Sequence, residues 1–594
     1  ARQQTLRNTL QWSYDLLTTE EQRLFRGLSV FVGGFTLEAA TAVCNSGSEP
    51  PLDVLTGVAS LLDKSLLLQV GQEGAEPRFR MLETLREFGL ACLHANGEEV
   101  AARRAYTSYY VSLAEDAEPY LEGPELARWL DRLEGERENL GALLQQATTE
   151  EDEGVPLVLH LSSVLLHFWL NRWYPSEGRS FLEWGLSRSQ AAPAHLRLKA
   201  LIAGGLLMWH QHDVLCAFAP VTEEAQALAR SLEDWGSLTY ALTLQGIALM
   251  STRDHTGVRA CFEEALVQAR AYGESKGLGF VLMNLGILAV FQREHQRAIG
   301  LFEESLALYR SVGDLLYVGT LLYFLSHALL REGDLTRARL MLEEAVALAR
   351  QVRARWKIGI ILSLMGQIAL LQGEVEQAEA LLSESIQISQ EMGNQRNMAR
   401  NSLLLASLAL TQGNDARARV QYEEGLALAV ELGFADSIAL GLKGLACVAA
   451  AQGHFTRAAL LWGAADNLPG SRSVPIPQVV TERAMTAVRT HLGAPAFAQA
   501  LSDGRAMTPA QVLAADNAFP APQIKRSPVY PAGLTVREVE VLRLVAASLT
   551  DAQVAEQLVI SVRTVNKHLT SIYNKLGVSS RAAATRFAVE HSLV

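Results

Sequence analysis

The sequence predicts a mostly all-α chain. A long array of helix pairs stands between a mixed helix-and-strand segment at the N-terminus and four short helices at the C-terminus. Three observations carry this. Acidic pairs followed by a small residue recur every forty residues through the middle of the chain. Ahead of them, capped helices give way to two short apolar strands. Behind them, clustered prolines set off a terminal segment whose apolar residues fall at helical spacing.

At 594 residues the chain exceeds what one core can organise, so roughly three to five domains are expected. Its 49% apolar content excludes wholesale disorder. The net charge is −12, yet residues 525–594 carry +4 and the remainder −16. An acidic body with a basic end directs an anionic partner to that end. Cys44, Cys92, Cys216, Cys261 and Cys447 are scattered without CxxC or Cys/His clustering, which points to buried thiols in a reducing cytoplasm. The longest apolar stretch, Val155 to Leu170, includes His160, Ser162, Ser163 and His167 and is too short and polar to span a bilayer. No signal peptide is visible. The chain opens at Ala1 within a helical pattern and without Met, so upstream sequence is expected to be missing.

Residues 1–96 open with an amphipathic stretch, Leu6 to Leu16. Thr18-Thr19-Glu20-Glu21 reads as a capped start. Phe31-Val32-Gly33-Gly34-Phe35 is a turn-rich break before a helix capped by Thr36. Leu61 to Leu68 runs from helix into strand, a second strand lies near Arg78 to Met81, and Leu82 opens another helix. Helices followed by a small hairpin make a winged helix. The stretches Gln11-Trp12-Ser13-Tyr14-Asp15-Leu16-Leu17, Leu28 to Phe35 and Leu82 to Phe88 resemble the segment after the nucleotide-binding domain in signalling ATPases of the STAND class. That resemblance implies a relay role for the winged helix. No GxxxxGK[ST] occurs, so no cofactor is assigned to this chain, and ATP enters only if a nucleotide-binding domain lies upstream.

Residues 97–179 read as a helical connector and residues 180–466 as the array. There the acidic pairs Glu223-Glu224, Glu263-Glu264, Glu303-Glu304, Glu343-Glu344 and Glu423-Glu424 keep one phase. Gly246, Gly286, Ser326, Gly366, Ala406 and Ala446 form a small-residue column. A second, Ala298, Ala338, Ala378, Ala418 and Ala458, follows twelve residues later, and a third, from Ala265 to Ala465, seven further on. Small residues at such positions let two antiparallel helices approach closely, and neighbouring pairs must stack to bury their apolar stripes. The spacing resembles the tetratricopeptide repeat, lengthened to forty residues over about seven units. It implies a platform for a small-molecule or protein effector. The acidic pairs read as a solvated face.

Three other groupings have blander readings. His210 and His212 do not share a helix face, so no metal site is assigned. Phe168, Trp169, Trp173, Tyr174 and Trp184 read as core before they read as an effector pocket. Asn284 stands alone among apolar equivalents and decides little. No nucleophile–base pair or paired-carboxylate setting is found, and the chain is read as a non-enzyme.

Residues 467–517 read as a helical cap and 518–533 as a linker stiffened by Pro520, Pro522, Pro528 and Pro531. In 534–594, Thr535 caps a first helix with Val539, Leu542, Val545 and Ala546 inward, and Thr550 caps a second with Val554, Ala555 and Leu558 inward. Ser561 caps a third, on which Val565, Leu569, Ile572 and Leu576 face the core while Arg563, Lys567, Thr570 and Asn574 point away, flanked by Asn566 and Ser571. Gly577 ends it. Ser580 starts a fourth helix, with Ala583, Phe587 and Ala588 available for packing or pairing. From Gln557 to Val589 there is no Asp or Glu, but Arg563, Lys567, Lys575, Arg581 and Arg586 are present. A basic, amide-bearing stripe of this kind suits a DNA major groove.

Leu534 to Glu538, Val554-Ala555, Ser561, Thr564-Val565, His568, Lys575 to Val578 and Arg581 resemble the LuxR-type helix-turn-helix across the whole module. Ser548, where glycine is usual, and Val562, where proline is frequent, are departures. The resemblance implies double-stranded DNA as partner, pairing as a homodimer through the fourth helix, and Asn566, Lys567 and Thr570 as base-facing residues. Ser561, Arg563, Thr564, His568, Ser571, Asn574, Lys575 and Arg581 become phosphate or flanking contacts. The expected function is a cytoplasmic transcriptional regulator with no membrane association. The alternatives are an interaction scaffold whose DNA module is masked or vestigial, and a nucleotide-driven switch.

Overall fold

The computed structural model describes residues 2–594 apart from 47–50, 71–76, 173, 212–217, 251–254, 469–475, 515–533, 535, 548, 559–561, 577, 579–580, 591–592 and 594. The chain falls into two compact units, one chiefly Ala1–Asn414 and the other chiefly Asp415–Val594. The expected linker, and the caps assigned to Thr535, Ser561 and Ser580, lie outside the described residues.

The N-terminal segment contains α1 (Arg2–Asp15), α2 (Thr19–Leu28), β1 (Phe35–Thr36), α3 (Leu37–Cys44), α4 (Val54–Asp63), β2 (Leu68–Val70), β3 (Arg78–Arg80) and α5 (Glu83–Ala95). Thr18 caps α2 reciprocally with Glu21, and Glu21 also takes bonds from Ser60 and Lys64 of α4, so one cap ties two helices together. Thr36 caps α3 through the amide of Ala39. The sheet has one strand more than the hairpin read from the sequence: β1 pairs antiparallel with β3, in the order β1-β3-β2. Two residues are too few for alternation to show, and the pairing of buried Phe35 with buried Phe79 supplies what periodicity could not.

The turn before β1 is bound to the helices that follow the segment. The amide of Val32 donates to Asn139 Oδ1 (3.0 Å), and Asn139 Nδ2 donates to the Gly34 carbonyl (2.8 Å) and to Glu136 (2.9 Å). The Glu136 carboxylate is 2% exposed and also meets Arg78 and the Tyr110 hydroxyl, so the buried charge is paired and hydrogen-bonded. Gly34 has φ of 101°, and a side chain there would press on the Phe79 carbonyl.

The array repeats as helix pairs. In the first unit these include Trp235–Met250 with His255–Tyr272, Ser275–Phe291 with His295–Val312, Leu315–Glu332 with Leu335–Gln351, and Arg355–Gln372 with Val375–Met392. The same forty-residue register reaches back through Ala194–Gln211 and Phe218–Ser231 to Val155–Val164, Leu166–Arg172 and Pro175–Arg188. The earliest pair therefore lies largely within the stretch that the sequence reads as connector. Its inner helix is broken at Leu165, which hides the beat.

The small columns have a specific counterpart. Sixteen residues after each member of the first column stands a large, fully buried side chain: Phe262, Phe302, Leu342, Leu382, Tyr422 and Trp462. A methyl group added to Gly286 would lie 2.6 Å from the Phe302 ring, and one added to Gly246 would lie 2.8 Å from that of Phe262. Where the third column holds serine, the hydroxyl bonds the facing helix: Ser305 donates to the Gly279 carbonyl (2.7 Å) and Ser385 to that of Gly359 (2.6 Å).

The acidic pairs are not merely a solvated face. Arg230 bridges to Glu264, Arg310 to Glu344 and Arg350 to Glu384, each thirty-four residues on, and Glu303 takes Arg337 at the same separation. The outer helices are thus cross-linked from pair to pair by half-exposed ion pairs, each contributing at most about 1 kcal/mol.

In the second unit, helices Asp415–Glu431, Ala435–Ala451 and Phe455–Asp466 keep the beat before helix Gln478–Arg505 leaves it with a break at Gly493. Buried Arg457 bonds the carbonyls of Val512 and Leu513 and so holds the short helix Pro509–Ala514 against the array's last helix. Cys44 and Cys447 are buried thiols, both pushed up by burial to about 12. Phe168 and Trp169 are fully buried, as the core reading expects, while Trp173 and His212 lie outside the described residues. No helix among the described residues is long and apolar enough to cross a membrane.

Gly286→Val should lower stability by about 1–3 kcal/mol, because Phe302 cannot yield without leaving its rotamer; thermal unfolding reads this, and an unchanged Tm would contradict the packing. A second expectation concerns Lys357, whose ammonium is buried, donates to the Leu316 carbonyl (3.1 Å), and is driven down to about 7 by burial. The folded-state value lies below the ordinary 10.5, so the cost of burying the charge is full below pH 7 and fades as the pH rises towards 10.5. Lys357→Met should therefore raise Tm by several degrees at pH 7 and by progressively less towards pH 10, as calorimetry across that range would read.

Candidate nucleic-acid interface

Four helices build the C-terminal module: Val536–Ala546, Asp551–Leu558, Val562–Leu576 and Arg581–Glu590. Val539, Leu542, Val545, Val554, Val565, Leu569 and Ile572 are buried as their spacing requires, together with Leu534, Val541, Ala584, Ala588 and Leu593. Ala546, Leu558 and Leu576 pack against this core while partly exposed. Ala588 is 0% exposed, so of the three residues considered for pairing it belongs to the module's own interior.

The second helix begins with a reciprocal cap. The amide of Thr550 donates to Gln553 Oε1 (2.8 Å), and that of Gln553 to Thr550 Oγ1 (3.4 Å). Arg537 of the first helix donates to the Leu558 carbonyl (2.9 Å) and so closes the far end of the second. That bond ties the end of the second helix to the start of the first.

The third helix is oriented by a buried carboxylate. Glu538 is 4% exposed and accepts from the Ser571 hydroxyl (2.7 Å) and the Lys575 ammonium (2.8 Å), one turn apart on the third helix. A helix rotates about 100° per residue, which carries Ser571 and Lys575 off the outward stripe and towards the first helix. Both were expected as phosphate or flanking contacts; here they tie the third helix to the first. Arg581, also expected as a phosphate or flanking contact, pairs with Asp551 and bonds the Leu549 carbonyl, anchoring the fourth helix at the start of the second. Two of the five cations counted in the acid-free window are therefore neutralised within the module. No feature of the sequence marks Glu538 apart from other first-turn acids, and its role shows only when the helices are assembled.

The outward stripe remains. Asn566 and Thr570 are exposed, and the Thr570 hydroxyl donates to the Asn566 carbonyl one turn back (3.0 Å), which fixes its rotamer with lone pairs still directed outward. Positions 563, 567 and 574 lie on the same face of the helix as these two, opposite Val565, Leu569 and Ile572. Thr564 and His568 are partly buried at its edge, and Ser561 lies outside the described residues. The arrangement presents amide, hydroxyl and cationic residue types on one ridge.

Elsewhere, a cavity of about 210 Å³ between α5 and the helices after it is lined by Val30, Val32, Arg86, Leu90, Arg103, Tyr106, Ala142 and Gln146. Its two guanidiniums are already engaged, Arg86 by Glu83 and Arg103 by Glu99 and Gln146. Among the described residues no cluster of three metal-ligating side chains occurs.

Comparison with known proteins follows the same three segments. Residues 532–588 match the bacterial regulatory proteins of the luxR family, residues 282–351 the tetratricopeptide repeat, and residues 17–94 a winged helix-turn-helix domain. Over 254 residues, 41% of this chain, the sequence is 36% identical to putative HTH-type transcriptional regulators of Mycobacterium tuberculosis and Mycobacterium bovis. The chain spans 28% of the length of those relatives. A 61-residue stretch, 10% of the chain, is 43% identical to the transcriptional regulatory protein LiaR of Bacillus subtilis and covers 29% of it. Among solved structures, a STAND protein with a tetratricopeptide repeat sensor from Pyrococcus horikoshii is similar over 76% of this chain and 63% of its own, at 14% identity and a TM-score of 0.44.

Glu538→Ala should loosen the third helix by about 1–3 kcal/mol, since it leaves Lys575 and Ser571 without their acceptor. Amide exchange across residues 562–576 of the full chain should speed up about tenfold for each 1.4 kcal/mol lost, and adding Lys575→Met should recover part of the loss. Unchanged exchange would remove Glu538 from this role.

Proposed function

We propose that this chain, whose last sixty residues form a LuxR-type helix-turn-helix, is a sequence-specific DNA-binding transcriptional regulator of bacterial type, acting in the cytoplasm. The third helix enters the major groove, and the helix-pair array takes up an effector or a protein partner. The observation that carries this reading is the outward stripe of the third helix, with Asn566 and Thr570 exposed on it and Glu538 bonded to the helix from behind.

Asn566 is suited to pair with adenine N6/N7, Lys567 to donate to guanine O6/N7, and Thr570 to either. Arg563, Thr564, His568 and Asn574 border the ridge where phosphates run, whereas Ser571 and Lys575 hold the third helix in its angle and Arg581 anchors the fourth. One module of this size covers little DNA, so two copies acting together, on half-sites about 10 bp apart, give the expected footprint. No reaction is assigned to this chain, and a nucleotide would act only through a domain outside it.

Binding-site selection from random duplexes would define the operator. Against it, Asn566→Ala and Lys567→Ala should each lose about 10- to 100-fold in specific affinity while random DNA is held almost as before. Arg563→Ala should weaken all sequences alike and lower the salt slope by about 1. Equal losses on operator and random DNA for Asn566→Ala and Lys567→Ala would overturn the assignment of base-reading residues, and failure of the full chain to select any sequence would overturn the function.

A further inference from the structure

Between helices Glu99–Ala117 and Arg137–Thr149 the chain passes through the turn Glu118–Tyr120 and helix Leu126–Gly135. Along this stretch residues meet four levels of the array, three of them through acidic side chains. Glu118 pairs with Lys199 of helix Ala194–Gln211 (2.6 Å). Glu122 pairs with Lys276, the second residue of helix Ser275–Phe291, and its carbonyl accepts from the amide of Leu315, the first residue of helix Leu315–Glu332 (3.1 Å). Asp131 pairs with Arg353 in the turn before helix Arg355–Gln372 (3.2 Å). The contacts run in chain order on both sides. They strike the starts of three inner helices at the repeat's own forty-residue spacing.

Helix pairs in such an array touch only their neighbours, so its pitch is set locally and small changes accumulate. A strap that joins levels from Lys199 to Arg353 sets distances that neighbour contacts cannot. Its apolar side, Leu126, Leu130 and Leu133, is buried, and the helix packs on Leu166–Arg172. The edge that reaches the array is polar. His167 also pairs with Glu122 (2.9 Å), and Arg172 with Asp131. Asp314, 1% exposed beside this contact, caps its helix through the Tyr317 amide with one oxygen, while the other has no hydrogen-bond partner among the described residues. His167 Nδ1 and Trp129 Nε1 are likewise buried without one, while Glu134 Oε2 and Arg172 Nε face each other only as an ion pair at 3.8 Å. Burial would raise the Glu122 carboxyl, but His167 and Lys276 outweigh it and hold it at about 2, so the grip stays charged at neutral pH. A contact made of ion pairs with polar atoms unsatisfied loses less on opening than an apolar one, because water completes those bonds.

The other end of the strap is equally defined. Helix Leu126–Gly135 leads directly into Glu136 and Asn139, which hold the turn between Val32 and Gly34 in the winged helix. We propose that Glu118–Asp131 is a latch that fixes the pitch of the array between helices Ala194–Gln211 and Arg355–Gln372 and passes a change of that pitch to the winged helix through Glu136 and Asn139. This goes beyond the DNA reading and does not depend on it.

The test is amide hydrogen exchange on the full chain carrying Glu118→Gln, Glu122→Gln and Asp131→Asn together. Exchange should rise at least tenfold across residues 118–135 and several-fold across residues 30–36, with the outer helix His295–Val312 unchanged. Pairing Asp131→Arg with Arg353→Asp in an otherwise unaltered chain should recover part of the protection that Asp131→Arg alone removes, the rest staying lost because Arg172 also pairs with Asp131. Should the triple variant not fold, the unaltered chain compared at low and at 1 M salt should show the same pattern at threefold or more, since salt weakens such pairs. No change across 118–135 in whichever comparison is made would overturn the latch, and loosening there with residues 30–36 unmoved would overturn the relay.

Discussion

A helix of this array cannot bury its own stripe, and what lets two of them close is a small residue on one set against a large one sixteen positions later on the other. Gly246 with Phe262 and Gly286 with Phe302 state the rule in its tightest form, where even a methyl group has no room. The aromatic or aliphatic bulk supplies the buried area, and the small residue supplies the approach that brings it into contact. Each pair then offers a defined face to the next, and everything placed on the array, the connector included, inherits its geometry from that contact.

The DNA-facing module uses different means towards a similar end. Its core is small, and a few buried polar bonds fix angles that so few apolar contacts would leave loose. Glu538 does this for the third helix and Arg581 for the fourth. Lys575 and Arg581 look from composition like part of an electrostatic footprint, and in the folded module both are paired internally. The residues proposed for recognition and those that brace the module thus draw on the same residue types a single helical turn apart. The angle around the helix, and not the identity of the side chain, separates the two roles.

This explains how far the sequence could be read. The repeat, the caps at Thr18, Thr36 and Thr550, and the inward positions of the third helix all rest on local periodicity or on side-chain bonds within four residues. Such features are visible in a string of letters. The strand at Phe35, the thirty-four-residue ion-pair ladder, the anchoring of Lys575 and Arg581, and the strap from Glu118 to Asp131 depend on partners far away in the chain. A two-residue strand carries no period, and a lysine does not announce whether its carboxylate is on a neighbouring helix or on a phosphate's side of the groove. The broken inner helix at Leu165 shows the converse case, where a local irregularity concealed a unit that the global register includes.

The turns of the array carry one more consequence. Left-handed backbone stands at Glu233 and then recurs every twenty residues from Gly273, at Arg293, Gly313, Gly333, Arg353, Gly373, Gly393, Gly413, Gly433 and Gly453. Inner and outer helices therefore have the same length and the same kind of corner, although their surfaces differ. Loss or gain of a whole period would leave every surviving helix in its proper layer. Loss of half a period would be equally quiet at the corners but would turn the remainder of the solenoid inside out, placing charged ladder residues where the small columns belong. A chain of this architecture keeps its layers in place only across whole steps of forty, because the corners recur every twenty residues and the side-chain pattern every forty.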